Sequence, residues 1–218
     1  MLLTTLRFLT AHALSALAEP RCCACEAPVP LETVFCGPCA TTLVEVDGGG
    51  DPRRVEAAAF AYGGALRDAI VRFKYGGRDD LARPLGALLC RLRAPVALAR
   101  PGVLVPVPSH ASRLASRGYE PSALLGRALA EAVGAPLLVD GLVKTAPSPA
   151  QAGLDRRARL SNLAGSLRCQ RPGVLRGVRV VLVDDVRTTG ATLAACTAAL
   201  EEAGAHVLGH AVLAAAEP

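Results

Sequence analysis

The chain has 218 residues, is 51% hydrophobic and carries a net charge of +5. These values exclude a disordered chain and leave room for one sizeable core plus a small appendage. Aromatic residues make up 3% and Trp is absent, which argues against a dedicated single-strand nucleic-acid binder that stacks bases on rings.

The first twenty residues, MLLTTLRFLTAHALSALAEP, have the apolar stretch and small-residue end of a signal peptide. However, the first six carry no Lys or Arg, and Arg7 and His12 interrupt the stretch. An amphipathic helix packed on the body of the protein is the preferred reading. No apolar run approaches the ~18 residues of a membrane span, so a cytoplasmic protein without membrane insertion is expected.

Five of the eight cysteines fall between positions 22 and 39. Cys22 and Cys25 form one C-x2-C pair, Cys36 and Cys39 another, with ten residues between them. Four thiolates so spaced can converge tetrahedrally on a structural Zn²⁺, and a closed four-sulfur shell leaves no position for catalysis. Cys23 competes with Cys22 for the first place, although only Cys22 keeps the two-residue spacing. Two disulfides are the competing reading and need a secretory context that the N-terminus supports weakly. Cys90, Cys169 and Cys196 sit in apolar contexts and read as small buried hydrophobes.

VDGGGDPRR (46–54) is a Gly-rich break. It divides an N-terminal helix and four-cysteine module (1–46) from a larger domain (55–218). In that domain VEAAAFAY (55–62) reads as a strand. Leu66, Ile70 and Phe73 have helical spacing before paired glycines, and a second helix is expected over 81–93. GVLVPVPSH (102–110) reads as a buried strand leaving through a Pro-rich turn. PSALLGRALAEAV (121–133) is a helix, PLLVDGLVK (136–144) a further strand, and LDRRARLSNLAGSL (154–167) an Arg-rich helix. GVRVVLVDDV (177–186) is the most apolar strand. A helix closing at Gly204 and a last strand, HVLGHAVLAA (206–215), follow. Strands apolar throughout, alternating with helices, predict an α/β fold with a mostly parallel sheet flanked by helices.

The stretch VVLVDDVRTTGATL (180–193) places Asp184 and Asp185 at the carboxyl end of that most apolar strand, where such sheets bind ligands. Arg187, Thr188, Thr189, Gly190 and Ala191 then form a tight loop opening a helix near Thr192. A helix N-terminus and three hydroxyls suit a phosphate, and the two carboxylates suit sugar hydroxyls. One helix cap would need only one carboxylate. The chain has neither G-x-x-x-x-G-K-[ST] nor G-x-G-x-x-G.

This stretch resembles the 5-phosphoribosyl-1-pyrophosphate (PRPP) binding motif of type I phosphoribosyltransferases at every specified position. AFAYGGALRDAIVRFKYGGRDDLARPLG (59–86), VPVPSHASRLASRGYEPSALLGRAL (105–129) and QAGLDRRARLSNLAGSL (151–167) are similar to blocks of the ComF family, which is related to amidophosphoribosyltransferases. The resemblance implies the type I phosphoribosyltransferase fold. It places Asp184 and Asp185 as the catalytic carboxylates on the ribose hydroxyls, and Thr188, Thr189, Gly190, Ala191 and Thr192, with help from Arg187, around the 5′-phosphate. It places Val107, Pro108, Ser109, Lys74 and Arg117 on the pyrophosphate, with Mg²⁺ bridging pyrophosphate and ribose, and a mobile flap over ASRLASRGYEPS (111–122). Glu120 stands where the family prefers Asn and brings negative charge close to a phosphate site.

Two functions are expected from this. One is a phosphoribosyltransferase that moves phosphoribose from PRPP to an acceptor the sequence does not identify. The other is a PRPP-dependent accessory protein of cytosolic DNA uptake in natural competence, with single-stranded DNA or uptake proteins as partners.

Overall fold

The computed structural model describes residues 19–46, 55–90, 102–145 and 166–216. The expected N-terminal helix, the Gly-rich break past residue 46, the end of the 81–93 helix and the Arg-rich segment up to residue 165 lie outside the described residues.

The chain order begins with the cysteine knuckles and a one-turn helix α1 (Gly37–Ala40). Strand β1 (Val55–Ala61), helix α2 (Gly64–Tyr75), a 3₁₀ turn (Asp79–Leu81) and helix α3 (Ala82–Leu89) follow. Then come β2 (Val103–Pro106), α4 (Ala111–Arg117), α5 (Pro121–Val133), β3 (Leu142–Lys144) and β4 (Leu167–Cys169). The chain ends with α6 (Pro172–Leu175), β5 (Arg179–Arg187), α7 (Ala191–Glu202) and β6 (His206–Ala215).

The main sheet is wholly parallel, in the order β1-β6-β5-β2. The expected mostly parallel sheet flanked by helices is therefore what forms. Strand β5 alternates between its two faces, as the pleat requires. Val181 and Val183 join a core with α2, α3 and α5, including Phe73, Leu85 and Leu125. Val180 and Leu182 join a second core with α7, through Leu193, Cys196 and Leu200.

Three local expectations are corrected. Only Leu142–Lys144 of the 136–144 segment is a strand, and it pairs antiparallel with Leu167–Cys169 in a separate two-stranded sheet. Leu167, expected as the end of a helix, is thus a strand residue. Its side chain is 3% exposed and packs with Leu142 in the second core, and this long-range pairing overrides the local helical pattern. The 81–93 helix begins instead with the 3₁₀ turn.

The cysteine module lies against the first core through Cys22, Cys23 and Phe35. Glu26 holds it to α2 and the following turn, at 2.8 Å from Arg72 and 2.5 Å from Arg78. Its tail runs antiparallel beside β1, where Ala61 N–H donates to Val44 O at 2.8 Å and Val46 N–H to Ala59 O at 3.3 Å.

Candidate functional site

Three segments meet at the carboxyl ends of β5 and β2. The sheet itself brings two of them together. Val105 and Pro106 pair with Leu182 and Val183, and Val107 N–H continues the ladder to Val183 O at 2.9 Å. The Val107–Ser109 turn therefore leaves the sheet beside Asp184. The third segment is the end of α2, whose apolar face (Leu66, Ile70 and Phe73, all 0% exposed) is pinned to the sheet. This packing carries Lys74 to Asp185, with Nζ 2.7 Å from Oδ1.

The two carboxylates have different surroundings. Asp185 is 7% exposed and tied to Lys74. Asp184 is half-buried, and its Oδ1 accepts from Asp185 N–H at 2.8 Å. Burial, and then the charge of Asp185, push the Asp184 carboxyl well above the usual carboxylate range, and the nearby Lys74 charge offsets this only in part. Two adjacent acids of this kind attract a ligand that brings hydrogen-bond donors or positive charge. Beneath them lies Cys196 of α7, fully buried, whose thiol is pushed up to about 12 by burial and by Asp184.

The loop after β5 is open. Thr188 and Thr189 are exposed, and Gly190, Ala191 and Thr192 half-buried. Gly190 caps α7 at φ +75°, a left-handed conformation that favours glycine, and a Cβ there would meet nothing within 4 Å. Ala191 N–H reaches Thr189 Oγ1 at 3.4 Å, and the next amides of this twelve-residue helix have no carbonyl four residues back within it.

The turn after β2 has a different character. Ser109 donates twice to Glu120, N–H to Oε2 and Oγ–H to Oε1, each at 2.7 Å. Ser122 Oγ donates to Val107 O at 2.5 Å. His110 accepts through Nδ1 from Ser112 N–H at 3.2 Å, and its Nε2 is buried without a hydrogen-bond partner among the described residues. Arg117 lies 5.4 Å over the exposed ring of Tyr75. Tyr119 packs its ring 5.8 Å from that of Phe73 and donates its hydroxyl to Phe73 O.

Asp184, Asp185, Lys74 and the Val107–Ser109 turn thus converge. Lys74 faces Asp185, and Arg117 faces Tyr75. The sequence flagged Glu120 as a charged departure from the family's Asn and gave no sign of its bonds to Ser109. It did not single out Tyr119 or Ser122 at all.

Away from this site, the ligand sulfurs of Cys22, Cys25, Cys36 and Cys39 all lie within 4.8 Å of one another. Tetrahedral Zn–S bonds of about 2.3 Å require sulfurs about 3.8 Å apart, which this cluster fits. Burial opposes ionisation of Cys22, but N–H groups of Cys25, Cys36 and Ala24 aimed at its sulfur bring the thiol down to about 6. Cys23 lies outside the cluster, and burial raises its thiol to about 11. Of the two neighbours, the cluster contains Cys22.

A family model described as the phosphoribosyl transferase domain matches residues 122–217, from inside α5 to the end of β6. The "DNA utilization protein YhgH" of Escherichia coli (strain K12) is 31% identical over 137 residues, covering 61% of this chain and 60% of that one. The chain thus carries a phosphoribosyl transferase-like segment over residues 122–217 and is similar to the YhgH proteins. The protein of the same description from Salmonella typhi is 31% identical over 129 residues, 57% of this chain and 56% of that one. The chain therefore spans little more than half the length of the curated relatives it matches. The "Adenine phosphoribosyltransferase" of Corynebacterium kroppenstedtii is 39% identical over 101 residues, 46% of this chain and 51% of that one. Among solved structures, glutamine PRPP amidotransferase from B. subtilis, complexed with ADP and GMP, is 25% identical and covers 63% of this chain and 30% of that one, with a TM-score of 0.40. Among the described residues no helix is long and apolar enough to cross a membrane.

Proposed function

We propose that the chain binds PRPP at the carboxyl end of β5 and transfers its phosphoribosyl group to an acceptor, releasing pyrophosphate. The observation that carries this reading is the pair Asp184–Asp185, set at the sheet edge directly before an open Thr/Gly loop and a helix N-terminus, within the segment that matches the phosphoribosyl transferase domain. Thr188, Thr189, Gly190, Ala191 and Thr192 take the 5′-phosphate, with Arg187 beside them. Asp184 and Asp185 accept from the ribose hydroxyls. Lys74 leaves Asp185 as those hydroxyls arrive, and its ammonium turns to the pyrophosphate with Arg117. The adjacent carboxylates of Asp184 and Asp185 fit Mg²⁺, which when bound with PRPP would supply positive charge to the departing pyrophosphate. The chain's own groups act by holding C1 of the sugar open to attack and by fixing charge where it develops. The cysteine cluster supplies structural support through Zn²⁺.

A second reading rests on the description of the curated relatives as DNA utilization proteins. There the same PRPP site serves a non-catalytic role in DNA uptake. A DNA affinity that falls steeply with salt, without turnover of PRPP, favours it.

Titration calorimetry with Mg²⁺–PRPP decides the site. Saturable binding by the wild type, lost in the doubly substituted Asp184→Asn/Asp185→Asn protein, is the expected result. Absence of binding by folded, zinc-loaded wild type overturns the reading.

A further inference from the structure

A turn that receives an anion presents free N–H groups to it, and the Val107–Ser109 turn does not. Val107 N–H is used in the sheet, donating to Val183 O at 2.9 Å. Pro108 has no N–H to offer. Ser109 gives both its N–H and its hydroxyl to the Glu120 carboxylate at 2.7 Å. In the first turn of α4 the Ser112 amide is likewise taken, by His110 Nδ1. The two cations that the resemblance assigns to the pyrophosphate are engaged as well, Lys74 by Asp185 and Arg117 by the Tyr75 ring.

We propose that Glu120 is a specificity residue of this site: by occupying the donors of the Val107–Ser109 turn, it makes the site take 5-phosphorylated ribose with little added affinity for a pyrophosphate at C1. The inference rests on the site reading given above and deepens it. Glu120 is an internal anion in the place of the ligand's second anion. It is held by two charge-assisted hydrogen bonds, with Ser122 Oγ a further 3.4 Å from Oε1. A pyrophosphate oxygen reaching Ser109 must either displace this carboxylate or lie against it, and like charges at that separation in a half-buried turn repel strongly. The 5-phosphate loop, on the other strand end, has no such plug: among its described donors, Thr188 and Thr189 remain exposed.

The test compares ribose 5-phosphate with PRPP, each with Mg²⁺, by calorimetry on wild type and Glu120→Gln. Glutamine keeps the shape, its oxygen accepting from Ser109 N–H and its NH₂ donating to Ser109 Oγ, and removes the charge. Wild type is expected to prefer PRPP by less than about tenfold. The substitution is expected to tighten PRPP about tenfold, or ~1.4 kcal/mol, and to leave ribose 5-phosphate within about twofold. Glu120→Ala, with circular dichroism to confirm folding, is expected to act in the same direction. Wild type preferring PRPP more than a hundredfold, or a preference unchanged in both variants, overturns the inference while leaving the site reading intact. Failure of both ligands to bind wild type and variants alike overturns the site reading and this inference together.

Discussion

Replacing Lys74 by Met tests whether the carboxylate pair is electrostatically balanced from α2. Lys74 Nζ lies 2.7 Å from Asp185 Oδ1, with side chains 21% and 9% exposed. Removing one partner of a buried pair costs about 3–5 kcal/mol, because the other charge is left uncompensated. A lysine one-fifth exposed puts the expected loss at the lower end, about 3 kcal/mol at pH 7.5. That corresponds to a melting temperature about 6–12 °C lower for a domain of this size. The sign of the pH dependence follows from Asp184, whose folded pKa lies above its ordinary 3.8. Such a group adds stability that is fully present below the ordinary value and is lost as pH rises through the folded one. Lys74 lowers that folded value, so its removal raises it further and widens the window of loss. Urea unfolding followed by circular dichroism at pH 5 and 7.5 should therefore show the larger penalty at pH 7.5. A penalty below about 1 kcal/mol, the usual ceiling for an exposed pair, or one equal at the two pH values, refutes the reasoning.

Two further expectations concern the scaffold. Cys36→Ser should lower bound zinc, read by elemental analysis, from about one per chain to nearly none. It should also lower the melting temperature by about 5–10 °C, the scale of losing a tightly bound ligand, because Cys22, Cys23 and Phe35 belong to the same core as Phe73. An unchanged melting temperature in metal-free protein contradicts this. Gly86→Ala should destabilise by about 1–2 kcal/mol, since its Cβ would fall 2.4 Å from Ala128 Cβ where α3 crosses α5; overpacking outweighs the gain in helix propensity. A variant melting at or above wild type would show that the crossing yields easily.

The parts of the site that could be read from the sequence are those written within one local stretch. Val180–Val183 leading into Asp184 and Asp185, then Thr188–Thr192, announces strand, edge and helix start in fourteen consecutive residues, and all three form. Leu66, Ile70 and Phe73 announced α2 in the same way, because one buried face imposes one period. What could not be read depends on partners distant in the chain. The β3–β4 ladder joins Leu142 to Cys169 across a long separation, and no local pattern names a strand's partner. Lys74 facing Asp185, and Glu120 facing Ser109, are products of tertiary packing. Sequence supplied the charges but not which group each would meet. Cys22 and Cys23 are adjacent and chemically identical, and only the path of the knuckle over the core brings the sulfur of Cys22, and not that of Cys23, into the four-cysteine cluster.

The strand order also bears on how the molecule comes into being. Strand β6, residues 206–215, lies between β1 and β5, so the middle of the sheet is filled by the segment synthesised after both its neighbours. Until it arrives, β1 and β5 have no direct hydrogen bonds to each other, and α2, which follows β1, has no fixed position relative to Asp185. The cysteine knuckles need none of this, since the four clustered sulfurs span only Cys22 to Cys39. On the ribosome, then, the cysteine module can order early as a local unit. The carboxylate site closes only when residues near 215 have emerged, so a chain stalled before β6 would present a folded knuckle and an unassembled ligand site.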